Sequence, residues 1–352
     1  MTAIHASRSD AVTAAEQEHQ ERVRRLAGEC MVVLENHGVL PLAAPCKVAL
    51  FGNGARATVK GGTGSGDVNA RRVVTIEEGL EAAGFTVTTK DWLDAQQALT
   101  ERDYRDYWAR TEAEAARIGQ EPMFVSWAAP FVPQEIAPFS AAADPAGDTA
   151  LFVLARNSGE GADRYHKPGD YQLLPGEKAL RETLGKSYER VIVLLNVGGV
   201  VDVPAIAATP GVGALVLIGQ SGAVGGHAVA DVLLGKTEPS GRLAATWARR
   251  YEDYPAAATF SHNNGQWNEE YYTEGIYVGY KFYETAAVEG LIDYDATVQY
   301  PFGYGLSYTS FTQEMGTITE DLANGTISFD VTVTNTGAVA GKDVVEVYYN
   351  PP

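Results

Sequence analysis

The stretch TALFVLARNSGEGADR, residues 149–164, sets an apolar run, Ala150 to Ala155, against a polar loop in which glycines flank one carboxylate. A short, continuous apolar run bounded by turn signals reads as a strand buried on both faces, the kind that builds parallel sheets. The loop that follows such a strand lies at its carboxyl end, where open α/β sheets bind their ligands. Gly159 and Gly161 let the backbone turn freely around Glu160 and approach a ligand closely, and Asp163 with Arg164 would pair to fix the loop. Taken alone, the heptad SGEGADR reads first as a polar turn closed by a local ion pair, and its neighbourhood must decide.

Outward from this strand, the pattern alternates. Toward the amino terminus, apolar residues recur at helical spacing from Ala11 to Leu34, with Asn36-His37-Gly38 as a helix stop. Lys47 to Phe51 reads as a buried strand, followed by the glycine-rich stretch Gly52 to Gly66, a helix from Ile76 to Ala83 that Gly84 ends, and a strand from Phe85 to Thr89. Asp94 to Arg117 reads as a long helix or helical pair, and Glu121 to Ala142, with several prolines, as irregular. Toward the carboxyl terminus come a helix around Gly176 to Leu184, strands at Val191 to Asn196 and Ala214 to Ile218, and a helix from Ala228 to Leu233. Strand alternating with helix at this pitch predicts a mainly parallel sheet covered on both faces.

After Pro255 the character changes: Tyr and Asn dominate from Phe260 to Tyr283, and Tyr300-Pro301-Phe302-Gly303-Tyr304-Gly305 closes the stretch. Beyond Thr317, Ile327, Phe329, Val331 and Val333 alternate to one side, Asn335-Thr336-Gly337 reads as a turn, and Val344 to Tyr349 as a return strand. That is the start of a β-sandwich. Such domains need about 100 residues and seven strands, and fewer than half of these precede Pro352. The expectation is an open strand edge and apolar face, closed by a continuing polypeptide or a second chain.

Composition sets the remaining bounds. With 352 residues, 45% hydrophobic and 20% charged, the chain can bury a sizeable core. A net charge of -18 excludes the clustered cations that hold a nucleic acid. No apolar run approaches the roughly 20 residues that span a bilayer, and MTAIHASRSDAVTAAEQEHQ lacks the apolar core of a signal peptide, which predicts a cytoplasmic protein without a membrane partner. Cys30 and Cys46 are too few for a disulfide framework and lack metal-ligand spacing.

Gly52-Asn53-Gly54-Ala55-Arg56-Ala57 fits the dinucleotide fingerprint G-x-G-x-x-A after a strand. Two features oppose an NAD site: the glycines lead into a second loop, Gly61 to Asp67, and the acidic residue after the second strand, Asp91, comes late. A phosphate-cradling loop is opposed as well, because Lys60 precedes the glycines and no Gly-Lys-Ser/Thr follows. What remains is a flexible loop whose amides and Ser65 hydroxyl line a pocket for a polyhydroxy ligand, at the same sheet edge as Glu160.

VVLENHGVLPL at 32–42, KGGTGSGD at 60–67, SGEGADR at 158–164, ADVLLGKTEPSGRLAAT at 230–246, EGIYVGYKFY at 274–283 and YPFGYGLSY at 300–308 together resemble the second domain of glycoside hydrolase family 3, the family of many β-glucosidases. The resemblance implies an α/β fold, a three-layer α/β sandwich with a mostly parallel sheet of about six strands. A fibronectin type III-like domain would follow, matching the unfinished β-sandwich. The expected organisation is a helical lead-in over 1–30, the α/β sandwich over 31–258, a Tyr/Gly-rich connecting and active-site region over 259–310, and an incomplete fibronectin type III-like domain over 311–352. Most members open on a (β/α)8 barrel carrying the nucleophilic aspartate; this chain is similar to the permuted arrangement in which the barrel comes last, and the barrel is missing.

A retaining glycosidase needs two carboxyl groups about 5–5.5 Å apart. The resemblance makes Glu160 the general acid/base, and its pKa must rise for it to protonate a leaving group, through burial beneath a sugar and a neighbouring carboxylate. Arg164 would act the other way unless Asp163 occupies it. Lys60, Thr63, Ser65 and Asp67, with Asp163 and Arg164, are the expected substrate-binding residues. Asp91-Trp92 imitates the family's nucleophile dipeptide, but an Asp at a strand-to-helix turn reads first as a helix cap. Glu269, Glu270 and Glu274 read as solvated loop charges. Trp127, Trp267, Tyr271 and Tyr272 offer sugar-stacking faces or loop anchors, and His166 either orients the acid or is a plain surface histidine.

The predicted function is the acid/base part of a retaining β-glycosidase that hydrolyses terminal β-D-glucosides, with the nucleophile on the missing barrel and negligible hydrolysis by this chain alone. The alternative is a non-catalytic carbohydrate-binding or regulatory subunit. No cofactor and no metal are expected; the partners are a β-glucoside or oligosaccharide and the barrel, with a homo-oligomer left open.

Overall fold

The structure, a computed structural model, describes residues 11–129, 131–132, 136–139, 147–160, 164–260 and 268–349. Helix α1 (Ala14–Glu29) opens on a capping box in which Thr13 Oγ1 accepts the Glu16 N–H and Glu16 accepts the Thr13 N–H. The helix ends at Glu29, short of the expected Leu34, because the β-branched run that follows is taken up by the sheet as β1 (Val32–Asn36). Asn36 therefore closes a strand, its Oδ1 accepting the Val39 and Leu40 amides.

The central sheet continues with β2 (Lys47–Phe51) and, beyond helix α2 (Ile76–Ala82), β3 (Thr86–Val87). Next come helices α3 (Lys90–Ile118) and α4 (Pro122–Ala128), then β4 (Thr149–Arg156), α5 (Pro175–Ser187), β5 (Arg190–Val197), α6 (Val203–Ala207), β6 (Val212–Leu217) and α7 (Gly225–Leu233). Helix α4 falls where proline content predicted irregular chain; Pro122 occupies its first turn, where a missing N–H costs nothing. The strand order is β1-β6-β5-β4-β2-β3, with every pairing parallel except β1 against β6. This is the expected mostly parallel, six-stranded α/β sheet.

All eight residues of β4 are buried, as a strand covered on both faces must be. On one face α2 packs on α7 so closely that a Cβ on Gly79 would lie 2.0 Å from the Gly226 carbonyl oxygen. On the other, Phe51 meets Trp92 of α3 edge-on at 5.0 Å and Phe139 at 4.7 Å. Each fully buried Leu, Val, Ile or Phe contributes about 1.5–3 kcal/mol, so this sheet is the stable part of the molecule.

A small ladder pairs β7 (Trp247–Ala248) with β8 (Val298–Tyr300). Between them lie helices α8 (Tyr280–Val288) and α9 (Tyr294–Thr297), where the sequence predicted only polar turns as far as Tyr283. The chain ends in β9 (Phe311–Met315), β10 (Thr319–Asp321), β11 (Thr326–Ser328) and β12 (Val331–Asn335), paired β9 with β12 and β10 with β11. The return strand expected over Val344 to Tyr349 is not formed: these residues pair with no strand among the described residues, and Val347 is 63% exposed.

Candidate functional site

Strands β2 and β4 are neighbours whose chain connections leave in opposite directions across the sheet, so a crevice forms outside their carboxyl ends. Gly52 and Gly54 carry the chain out of β2 against β4. Gly52 has φ +98, and a Cβ there would lie 2.1 Å from the Val153 carbonyl oxygen; one on Gly54 would meet Val153 Cγ1 at 2.6 Å. The glycines are spent on this close approach, and no helix opens until α2 at Ile76. That removes the structural basis of the dinucleotide fingerprint.

Two loops then meet above the crevice. The first holds Lys60 to Asp67, with a 3-10 turn at Gly64–Gly66; the second leaves β4 through Asn157, Ser158, Gly159 and Glu160. Thr63 Oγ1 donates to the Glu160 carbonyl at 3.0 Å, and the Ser65 N–H donates to Glu160 Oε2 at 3.0 Å. A Cβ on Gly159 would lie 2.1 Å from Thr63 N, one on Gly62 2.8 Å from the Ser158 oxygen, and one on Gly64 2.7 Å from Glu160 Oε2. The glycines in both loops thus allow backbone-to-backbone contact.

Glu160 is exposed, and the Ser65 amide, seconded by its hydroxyl, holds the Glu160 carboxyl below the ordinary carboxylate range. In this state it is an anion, a base rather than an acid. Among the described residues nothing raises it as an acid requires. Arg164 is not the cause, because it is engaged elsewhere: its Nε lies 3.0 Å from Asp170 Oδ1, and its Nη2 donates to the Asp170 and Val200 carbonyls. Burial pushes the Arg164 guanidinium down, and the Asp170 charge opposes this. The partner expected for Arg164, Asp163, lies outside the described residues.

Beneath the loops, Arg156 and Glu177 form a buried bidentate pair at 2.9 and 2.6 Å, and Arg156 Nε donates to the Asp170 carbonyl at 3.1 Å. The β4 loop is thereby anchored at both ends. A cavity of about 340 Å³ opens beside it, lined among others by Asn53, Thr63, Thr100, Asn157, Arg164 and Lys167. Glu160 is not part of the lining, but Thr63, which donates to its carbonyl, is.

Of the other expected site residues, Lys60 and Asp67 pair with each other across their own loop, which leaves neither directed to Glu160. Asp91 sits exposed in the first turn of α3, while Trp92 is buried and donates to the Ala137 carbonyl, so the dipeptide is helix start and core. His166 stacks on Tyr251 at 4.3 Å, with Gln172 and Glu252 as polar partners, away from the acid. Glu269, Glu270 and Glu274 are not brought to Glu160; Glu269 accepts from Tyr271. Trp127 and Tyr272 are exposed, the latter 94%. Trp267 lies outside the described residues.

Sequence reasoning missed Asn53, Asn196, Asp170, Glu177 and Gln220. The last donates to Asn157 Oδ1 at 3.1 Å and the Ser158 carbonyl at 3.0 Å, tying the loop after β6 to that after β4. The available signal was polar residues inside or just after apolar runs, since burying them demands partners. Among the described residues no group of three or more His, Cys, Asp and Glu is placed to hold a metal, and no helix is long and apolar enough to cross a membrane.

The open, mostly parallel sheet presents glycine-bounded loops around one carboxylate at its carboxyl edge, the place where open α/β sheets bind ligands. Residues 31–280 match the Glycosyl hydrolase family 3 C-terminal domain, and the chain belongs to that family. It is 36% identical to Beta-glucosidase A of Butyrivibrio fibrisolvens over 96% of this chain and 42% of that protein. It is 35% identical to a beta-glucosidase of Ruminococcus albus over 95% of this chain and 32% of that protein. Among solved structures, beta-glucosidase 3B from Thermotoga neapolitana in complex with glucose superposes with a TM-score of 0.70 at 31% identity, covering 92% of this chain and 43% of that one. The chain spans less than half the length of each of these relatives.

Proposed function

We propose that this chain supplies the acid/base half of a retaining β-glucosidase site. Glu160 is the proton donor and acceptor, Lys60, Thr63, Ser65 and Asp67 with Asp163 and Arg164 form the sugar-facing wall, and a (β/α)8 barrel brings the nucleophilic carboxylate. The names of its relatives support a β-glucoside as substrate, and the likeness of residues after Phe311 to an incomplete fibronectin type III-like domain belongs to the same reading.

The observation that carries the proposal is the exposed Glu160 carboxylate, fixed by the Ser65 amide at the carboxyl edge of the sheet. An exposed carboxylate held low in pKa is half of the required pair. Apposition of a second carboxylate and exclusion of water by a bound sugar both raise its pKa, turning the anion into the acid that protonates the leaving oxygen.

The test is hydrolysis of a coloured aryl β-glucoside. The 352-residue chain alone gives negligible turnover, and adding the barrel restores it. With the barrel present, Glu160→Gln lowers kcat/KM by about 10²–10⁴-fold towards a poor leaving group and much less towards a good one, while kcat falls for both because the same residue serves as the base of the second step. Robust turnover by the isolated chain that Glu160→Gln abolishes would overturn the division of roles. Turnover of both substrates that is indifferent to Glu160→Gln would favour the binding-subunit alternative.

A further inference from the structure

The loop that brings the Ser65 amide to Glu160 contains Gly61, Gly62, Gly64 and Gly66, a composition with little rotational stiffness of its own. Two side-chain amides, one just past β2 and one in β5, make backbone-like bonds around the start of this loop. Asn53, just past β2, donates from Nδ2 to the Ala155 carbonyl at 3.1 Å and accepts the Ala155 N–H on Oδ1 at 2.9 Å. Its carboxamide thus pairs with β4 as a strand residue would. Asn196 stands opposite Ala155 in the β4–β5 register and makes the complementary pairing. Its Oδ1 accepts the Val59 N–H at 2.7 Å, and its Nδ2 donates to the Val59 carbonyl at 3.0 Å and the Gly219 carbonyl at 2.7 Å.

Val59 immediately precedes Lys60, where the glycine-rich loop begins, and the Lys60 carbonyl accepts the Gly222 N–H at 2.9 Å. Asn196 is fully buried, so its polar atoms must be satisfied. The partners that satisfy them lie 137 and 23 positions away, in two different loops of the sheet edge. A residue serving only its own strand has no need of such partners.

We propose that Asn53 and Asn196 are positioning residues, splinting the glycine-rich loop to the sheet so that the Ser65 amide meets the Glu160 carboxylate. The catalytic meaning of this rests on the acid/base reading of Glu160; the positioning itself does not.

The experiment follows the Ser65 amide by NMR in the 352-residue chain as pH is varied. In the unaltered chain the Ser65 signal titrates with the Glu160 carboxyl, and Glu160→Gln removes that response. Asn196→Asp keeps the acceptor for Val59 N–H and loses both donations; Asn53→Ala loses both bonds to Ala155. Each variant is expected to abolish the Ser65 response and to move Glu160 up towards its ordinary value of 4.5. Asn53 is only half-buried, so Asn53→Ala carries the test if Asn196→Asp does not fold. Asn36→Ala is the control: it removes comparable backbone bonds at the opposite edge of the sheet and lowers the melting temperature with no change at Ser65. A folded Asn53 or Asn196 variant with an unchanged Ser65 response overturns the proposal. If the variants uncouple Ser65 from Glu160 while the barrel-completed enzyme ignores Glu160→Gln, the positioning stands and the acid/base reading falls.

Discussion

The carboxyl edge of the central sheet and the hairpins after Phe311 both present loops to solvent, but they are supported in opposite ways. At the sheet edge the loops after β2, β4 and β6 are tied to buried residues: Asn196 and Glu177 are 0% and 1% exposed, and Arg156 is 6% exposed. In the hairpins Leu322 is 86% and Ile327 65% exposed, and the ties to the sandwich include the Arg242–Asp343 and Lys342–Glu29 ion pairs at 3.0 and 2.7 Å and the Tyr280–Tyr348 ring contact at 5.8 Å. An ion pair with an exposed partner such as Lys342 contributes about 0–1 kcal/mol, whereas each fully buried apolar side chain of the strands contributes about 1.5–3 kcal/mol. The buried anchors that fix the loops around Glu160 are therefore located in the first region.

The contrast is broken most severely by attacking what lies under the loops. Arg156→Met leaves Glu177 as an uncompensated buried charge and is expected to cost about 3–5 kcal/mol, read by denaturant unfolding. Adding Glu177→Leu to it restores most of that loss. Next, Leu215→Ala in β6, a 0% exposed position, is expected to cost about 2–5 kcal/mol, while Leu322→Ala stays within about 0.5 kcal/mol. A Leu322→Ala cost equal to that of Leu215→Ala would mean that the hairpins are covered in solution.

Smaller effects sharpen the comparison at the site. Gly159→Ala places a methyl 2.1 Å from Thr63 N, a clash with backbone that only a shift of one loop relieves, so it is expected to cost about 1–3 kcal/mol and to spread the two loops. The Glu160 carboxyl then titrates higher, and with the barrel present kcat falls about 10²-fold, as displacement by an ångström implies. Smallest is the pH effect of Glu160 itself. Because the folded pKa is lowered, its contribution is fully present above the ordinary value of 4.5 and is lost as pH falls through the lower folded value. The stability difference between the unaltered chain and Glu160→Gln should therefore shrink on acidification below 4.5, and a difference that is flat with pH would contradict the Ser65 bond.

The strands from Lys47 to Phe51, Thr149 to Ala155 and Val191 to Asn196 were legible because burial on both faces leaves an unbroken apolar run. Val32 to Leu34 was not, since its Val and Leu continue the helical spacing of the residues before it and only pairing with β6 separates the two. Glycines made the Lys60 to Asp67 loop and Glu160 visible as a pair of loops. The anchors were hidden: the Asn53 and Asn196 bonds span 102 and 137 positions, and local pattern carries no information about such distances. Arg164 was paired in advance with its neighbour in sequence, whereas in the structure it pairs with Asp170 across a turn.

Gly62, Gly64 and Gly159 interleave the two loops so closely that each fills the space a side chain of the other would need. In mechanical terms the loops share one degree of freedom. A push on either moves the carboxylate with it, so whatever docks on this edge meets a single lip, and a change that lengthens one loop must be matched in the other for Glu160 to keep its place.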